Sequence, residues 1–412
     1  MTPEISERPG GFLFEWKEAQ VKIDVGRTRE HRDGRVTGEI HITTTREGYE
    51  PHLHQALFNF SSAQARRTEV KNLTDQFAEF PWKTIFEQLC SHLLRRLRQG
   101  EEMVEISTEE ELVPPDYLLW PLLPRGMATI IFGEKGAAKS TTAQLASLCV
   151  LLPWLDNEFG LQPTEQSTPV LYLDWETTKD ELAWKLKMIA TAHSLPFVTI
   201  NYRRCALPLA DDMEAIAQMA EHSKAGLLVI DSLGMAAGGD LWKGESPERF
   251  YAALRRLNRT TLILAQTSKD ENRKKSIYGS TLFGYWARSI WEARKSQELG
   301  EKELSVALFH REANTSGQHE PLGWRLRYSD DNHELRIEQA AVTSMADFLN
   351  QLSATKQIHE LLLSEGALTV EQIAEKVDLK SNTVRQALGR MRKRQEVVKL
   401  PDKRWGLQVR DS

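Results

Sequence analysis

The sequence predicts an α/β protein in three parts, and three observations carry that prediction. Between about residues 117 and 340, β-branched apolar runs alternate with helical stretches, the pattern of a mostly parallel sheet covered by helices. Ahead of that segment, residues 12–60 alternate apolar and polar positions as half-buried strands do, and a helical stretch over 62–98 follows. Behind it the pattern turns purely helical and closes on a short pair of strands. The expected parts are a small N-terminal α+β domain over 1–110, an α/β core over 111–340 and a helix-turn-helix over 341–412.

Bulk properties narrow the class. The chain has 412 residues, 41% hydrophobic and 27% charged, and a net charge of −5. That balance excludes a uniformly basic nucleic-acid binder and leaves room only for local contacts. No apolar run reaches 18 residues, so no membrane span is expected. The first residues lack the basic start and long apolar core of a secretory signal, and a cytoplasmic location is the expectation. Cys90, Cys149 and Cys205 are far apart among apolar residues and read as buried free thiols.

Each element has its own signal. In the first part, Asp33-Gly34 between two alternating runs predicts a hairpin turn, and Phe86, Leu89, Cys90, Leu93, Leu94 and Leu97 recur at helical spacing. The acidic, proline-containing stretch 101–116 marks the first boundary. Strand candidates in the core are "MATIIF", "PVLYLDW", "GLLVIDS", "TTLILAQ", "SIWEAR", "LSVALFH" and "GWRLRYS".

The chemistry is concentrated in "IIFGEKGAAKSTT", residues 130–142. It follows a strand and opens an apolar helix, the setting that a phosphate-binding loop requires. Gly133, Glu134, Lys135, Gly136, Ala137, Ala138, Lys139, Ser140 and Thr141 would wrap the phosphates of ATP. Lys139 suits the β- and γ-phosphates, and the hydroxyl of Ser140 suits a Mg²⁺ position. The usual pattern has glycine where Ala138 stands; ordinary helical dihedrals at that residue would accommodate the extra methyl. Downstream, "GLLVIDS" ends in Asp231, which fits a metal-holding aspartate. "PVLYLDWE" ends with Asp174 and Glu176, both expected to face the nucleotide crevice, with Glu176 able to activate a water.

The order strand–"GEKGAAKS"–helix, "VLYLDWET", "LLVIDSLGMAAGGD", "LILAQTSKD" and "YGSTLFGYWARSIWEAR" resembles the RecA-type ATPases. Among them it is most similar to the branch of the plasmid replication helicase RepA, which is grouped with AAA family ATPases despite its RecA fold. The resemblance covers roughly 117–330. It implies a RecA-like P-loop NTPase core that hydrolyses ATP with Mg²⁺, with Lys139 and Glu176 catalytic, Ser140 and Asp231 at the metal, and Gln266 sensing the γ-phosphate. It also implies a homo-oligomeric ring in which a neighbour's arginine completes the site, either Arg311, expected on a loop beyond its strand, or Arg288.

Two loops are candidates for a single DNA strand in such a ring's pore: glycine-rich 234–246, with Trp242 and Lys243, and 268–276, with Arg273, Lys274 and Lys275. Residues 355–407 give three helices, the second capped by Thr369 and the third by Ser381, then a two-strand wing. This is the pattern of a winged helix, with Asn382, Arg385, Gln386, Lys403 and Arg404 available to duplex DNA. The function expected is a replication-type helicase or helicase-like motor; the alternatives are an ATP-switched DNA-binding adaptor, a recombination factor or a transcriptional regulator without unwinding activity.

Overall fold

The computed structural model describes residues 1–408 apart from 9, 32, 100–102, 106, 108–115, 268–275, 280, 298–300, 315, 316, 346, 347 and 349–351. Most of the acidic boundary stretch and the basic loop with Arg273, Lys274 and Lys275 therefore lie outside the described residues. Among those described, no helix is long and apolar enough to cross a membrane.

The N-terminal strands β1 (Glu4–Arg8), β2 (Gly11–Trp16), β3 (Val21–Glu30), β4 (Val36–Thr44) and β5 (His52–Asn59) form an antiparallel sheet in chain order. Asp33-Gly34 lies in the β3–β4 turn, with Gly34 at φ +80°, where an L side chain would be strained. Alternation puts Val21, Ile23, Val25, Ile40 and Ile42 on one face. The helical stretch expected over 62–98 is two helices, α1 (Ala63–Gln76) and α2 (Trp82–Gln99), with Pro81 between them. Ile85, Phe86, Leu89 and Leu93 of α2 close the core over the sheet.

The core follows as β6 (Tyr117–Trp120), β7 (Leu123–Pro124), β8 (Ala128–Gly133), α3 (Lys139–Leu151), β9 (Gln162–Pro163), β10 (Val170–Asp174), α4 (Lys179–Ala192), β11 (Asn201–Arg204), α5 (Leu209–His222) and β12 (Leu227–Asp231). It continues with α6 (Leu233–Ala237), α7 (Glu245–Leu257), β13 (Thr260–Gln266), α8 (Leu282–Trp286), β14 (Ser289–Ser296), β15 (Glu303–Ala313), β16 (Leu322–Tyr328) and β17 (Leu335–Gln339). Nine strands make one sheet in the order β11-β10-β12-β13-β8-β14-β15-β16-β17. From β11 to β14 every neighbour is parallel; β14 to β17 pair antiparallel. β11 and β17 had no strand signal of their own in the sequence, being short and half polar.

Both faces of this sheet are covered, which is why its central strands are continuous apolar runs. Ile131 of β8 packs in the cluster that includes α3 and α4. Ile130 and Phe132 pack in the cluster of α5 and α7. The strand carrying the phosphate loop is thus clamped from both sides near the middle of the sheet.

After a 3-10 turn at Val342–Ser344 come α9 (Ala354–Glu365), α10 (Val370–Lys376), α11 (Ser381–Lys393) and a hairpin of β18 (Val397–Lys399) and β19 (Trp405–Leu407). They enclose their own core of Ile358, Leu362, Ile373, Val384, Leu388 and Met391. Thr369 caps α10 in a capping box with Gln372. Ser381 does not cap α11 as expected: it is the first helical residue, and Lys380 occupies the cap position without a side-chain bond.

Candidate active site

The carboxyl ends of four adjacent strands supply the site. Asp174 of β10 lies in register with Asp231 of β12, and Gln266 of β13 lies opposite Gly133 of β8. Side chains at these strand ends open toward the crevice where doubly wound sheets bind ligands. β8 passes into the loop at Gly133, and α3 begins at Lys139. The N-terminal amides of a helix of this length, facing a loop with two glycines, form an anion site by backbone geometry alone.

Ala138 departs from expectation. It takes φ 54° and ψ 27°, the left-handed region, and not ordinary helical dihedrals. The loop must reverse its backbone at that position to start α3, so the constraint is conformational and independent of the room for a methyl group. An alanine held there costs about 1–2 kcal/mol, which is why glycine is the commoner occupant. The expectation erred because spacing specifies residue type and leaves the dihedral open. Gly136 at φ +79° serves the same reversal.

The lysine turns back onto its own loop. Lys139 Nζ donates to the carbonyls of Gly133 at 2.9 Å and Glu134 at 2.8 Å. Burial holds its pKa below the ordinary lysine value; Asp231, Glu176 and Glu134 act the other way, and Lys295 adds to the lowering.

Asp231 is a buried carboxylate. Only 4% exposed at the end of a strand buried throughout, it accepts a hydrogen bond from the Tyr172 hydroxyl at 2.8 Å. Burial raises its pKa from 3.8 to about 6; hydrogen bonds from Tyr172 and Ser140 oppose that rise, and the charges of Glu176 and Asp174 add to it. The two residues expected at the metal, Ser140 and Asp231, are therefore close enough for the serine hydroxyl to bear on the pKa of the carboxylate. Such a pair fits Mg²⁺, which keeps several waters and takes one or two carboxylates beside substrate phosphates. No group of three or more His, Cys, Asp or Glu side chains that could hold a metal occurs among the described residues.

Asp174 and Glu176 behave differently from each other. Asp174 is fully buried and does not face the crevice: its carboxylate accepts from the amides of Glu176 and Thr177, both at 2.9 Å, and from the hydroxyls of Thr177 and Tyr202. The turn is fastened a second time where the Trp175 amide donates to the Asp231 carbonyl at 2.7 Å. Glu176 is left exposed on this rigid turn, and its carboxylate accepts from the hydroxyl of Ser232. Ser232 and Tyr172 escaped the sequence reading, since a serine after a strand and a tyrosine within one carry no motif. Gln266 sits at the tip of β13, exposed, with its backbone carbonyl bonded to the Tyr278 amide.

Arg311 is corrected in place. It lies within β15, not on a loop beyond it, and its guanidinium pairs with Glu292 and stacks over Phe309 at 4.9 Å. Arg294 pairs with the same carboxylate. Arg288 precedes β14, is exposed, and has no ion pair among the described residues.

Residues 95–272 match the family described as AAA domain. The matched segment holds the phosphate loop together with Glu176, Asp231 and Gln266. No curated protein matches the chain. Among solved structures, a KaiC-like protein from the hyperthermophilic archaeon Pyrococcus horikoshii is similar at 15% identity, over 54% of this chain and 95% of that one, with a TM-score of 0.37.

Two predictions follow from the backbone and the buried carboxylate. Ala138→Gly should stabilise the P-loop domain by up to about 1 kcal/mol, the relieved left-handed strain less glycine's entropic cost, whereas Ala138→Val should destabilise it. Denaturant midpoints of the two variants test this; equal midpoints would contradict the assigned dihedral. For Asp231, a folded pKa above the unfolded one means that the stability linked to its proton is fully present below pH 3.8 and is lost as pH rises through about 6. Asp231→Asn should therefore stabilise the nucleotide-free protein at pH 8 by on the order of 2 kcal/mol, and the advantage should vanish toward pH 4. Thermal midpoints across that range measure it.

Proposed function

We propose that the chain is a Mg-ATP-dependent ATPase that works on DNA as a ring, as a replication-type helicase or helicase-like motor. The observation that carries the ATPase part is the convergence of Lys139, Ser140, Asp231 and Glu176 on one loop, with Glu176 exposed on a turn fastened by Asp174 and Trp175. Lys139 exchanges its bonds to the loop carbonyls for phosphate oxygens. Ser140 and Asp231 hold Mg²⁺, which when bound neutralises charge on the phosphates. Glu176, oriented by Ser232, accepts the proton of the attacking water. Gln266, exposed at the neighbouring strand tip, senses the terminal phosphate in this reading.

Features outside the site support action on DNA. Trp242 and Tyr278 meet edge to face at 5.4 Å, joining the glycine-rich loop to the end of the basic loop; Trp242 is 61% exposed and Tyr278 43%. Exposed aromatic rings suit the stacked bases of a single strand. Three helices and a hairpin at the C-terminus fit a winged helix that contacts duplex through α11 and the β18–β19 hairpin. Arg385 pairs only with exposed Glu371, and Arg404 with exposed Asp402, so both guanidiniums are exchangeable to phosphate. In a ring, a neighbour's arginine completes each site. Arg311 is engaged within its own chain, which favours Arg288 for that role.

ATP turnover measured with and without single-stranded DNA, beside a strand-displacement assay, tests the proposal. Lys139→Ala should abolish turnover, and Glu176→Gln should keep ATP binding yet slow turnover roughly 10²- to 10⁴-fold. Arg288→Ala should also bind ATP without turning it over, and mixing it with Glu176→Gln should restore part of the activity. Rescue by Arg311→Ala instead would move the finger there. A wild-type protein that binds no ATP in calorimetry would overturn the ATPase reading, and one that hydrolyses ATP at full rate as a monomer would remove the ring.

A further inference from the structure

A second lysine stands against the phosphate loop and has no part in the chemistry above. β14 runs parallel to β8 with Ala293 opposite Gly133, so residues 294–296 continue past the point where β8 becomes loop. Strand alternation sends Glu292 and Arg294 to one face and Ala293 and Lys295 to the other, where α3 and its loop lie. On the first face Arg294 Nε donates to Glu292 at 2.8 Å. On the second, β14 presses on both loop glycines. A Cβ at Gly133 would lie 2.4 Å from the Ala293 carbonyl oxygen, and one at Gly136 would lie 2.8 Å from Lys295 Nζ.

The Lys295 ammonium therefore rests on the crest of the loop. Among the described residues it has no ion-pair partner, unlike Arg294 and Arg311, which share Glu292. A cleft of 160 Å³ opens beside it, lined by Gly133, Glu134, Ala137, Thr267 and Ser296, and reached at the strand edge by Glu292 and Arg294 as well. Lys139 occupies the same loop, and the two ammonium groups repel each other. An anion seated on the loop amides relieves that repulsion.

The sheet order gives the direction of approach. Asp231 and Glu176 are reached from β8 across β13, by way of β12 and β10, whereas β14 is the neighbour on the opposite flank. The metal-holding and water-activating groups thus lie on one side of the loop and Lys295 on the other. We propose that Lys295 binds the α- or β-phosphate of the nucleotide, the portion that ATP and ADP share, and not the γ-phosphate. This rests on the nucleotide-binding reading of the loop and adds a contact to it from within the same chain.

The experiment is calorimetric titration of full-length wild type, Lys295→Met and Lys295→Arg with Mg-ATP and Mg-ADP separately, with circular dichroism to compare folding. A charge-assisted phosphate contact is worth about ten- to a hundredfold in affinity. Lys295→Met should weaken both nucleotides by that factor and by the same amount, and Lys295→Arg should recover most of it. Unchanged affinity for both in a folded Lys295→Met overturns the proposal, as does a loss confined to ATP, which would put Lys295 at the γ-phosphate. Wild type that binds neither nucleotide removes the underlying reading of the loop, an outcome distinct from a variant-specific loss. Should Lys295→Met fail to fold, Lys295→Gln takes its place, with the same two outcomes deciding.

Discussion

Burying a carboxylate at the end of an apolar strand is unfavourable unless its neighbours supply hydrogen bonds or a cation, and Asp231 meets that condition through its whole surroundings. Tyr172 donates to it from the adjacent strand, and Ser140, at the first turn of α3, helps to hold its pKa down. Its backbone carbonyl receives the Trp175 amide, and the next residue, Ser232, fastens Glu176. Two chain segments, the start of α3 and residues 172–176, are thus gathered around the strand end that carries this aspartate. The position of Glu176 relative to the loop depends on this junction together with the turn tied by Asp174.

Much of this arrangement was legible in the sequence. Apolar runs bounded by turn residues gave the central strands, and the loop motif with Asp231 and Glu176 gave the site, because covalent spacing alone brings strand ends and loops to one edge of a parallel sheet. What escaped the sequence depends on side-chain direction and on dihedral angle. Asp174 and Glu176 are two residues apart and equally acidic, yet one is consumed in tying its own turn and the other is presented to solvent. Ala138 reads as a mild substitution by volume and is a conformational one by its φ. Arg311 was assigned to a loop because the end of β15 has no breaker; the strand continues to Ala313 and gives the arginine an internal partner. Lys295 sits on a strand whose apolar part ends before it, so nothing in the pattern connects it with a loop 160 residues earlier.

The flanking parts attach to the core in different ways. Glu214 of α5 fits against Gly10 and Gly26 of the N-terminal strands so closely that a Cβ at Gly10 would lie 2.3 Å from its Cγ. Burial raises the pKa of that carboxyl, a sign of a desolvated seam. At the other end Lys356 of α9 meets Glu320 of the core in an ion pair whose acid is largely exposed. Surface pairs of this kind contribute little and are weakened by salt. The N-terminal seam is a close fit of Glu214 against glycines, whereas on the C-terminal side the ion pair adds to an apolar cluster of Ala307, Phe309, Val342, Met345, Phe348 and Leu352.

β14 has two faces with separate duties: one bears on the phosphate loop through Ala293 and Lys295, the other holds Glu292 with its two arginines. A pleated strand gives its residues to the two faces strictly by turns. Adding or deleting one residue near its start would send Lys295 toward Arg311 and turn Glu292 and Arg294 together toward the loop, replacing a lone ammonium there with an ion pair. Length variation in the turn between α8 and β14 is therefore permissible only when it leaves the strand's parity intact, a rule that any chimera or loop graft at this junction must obey.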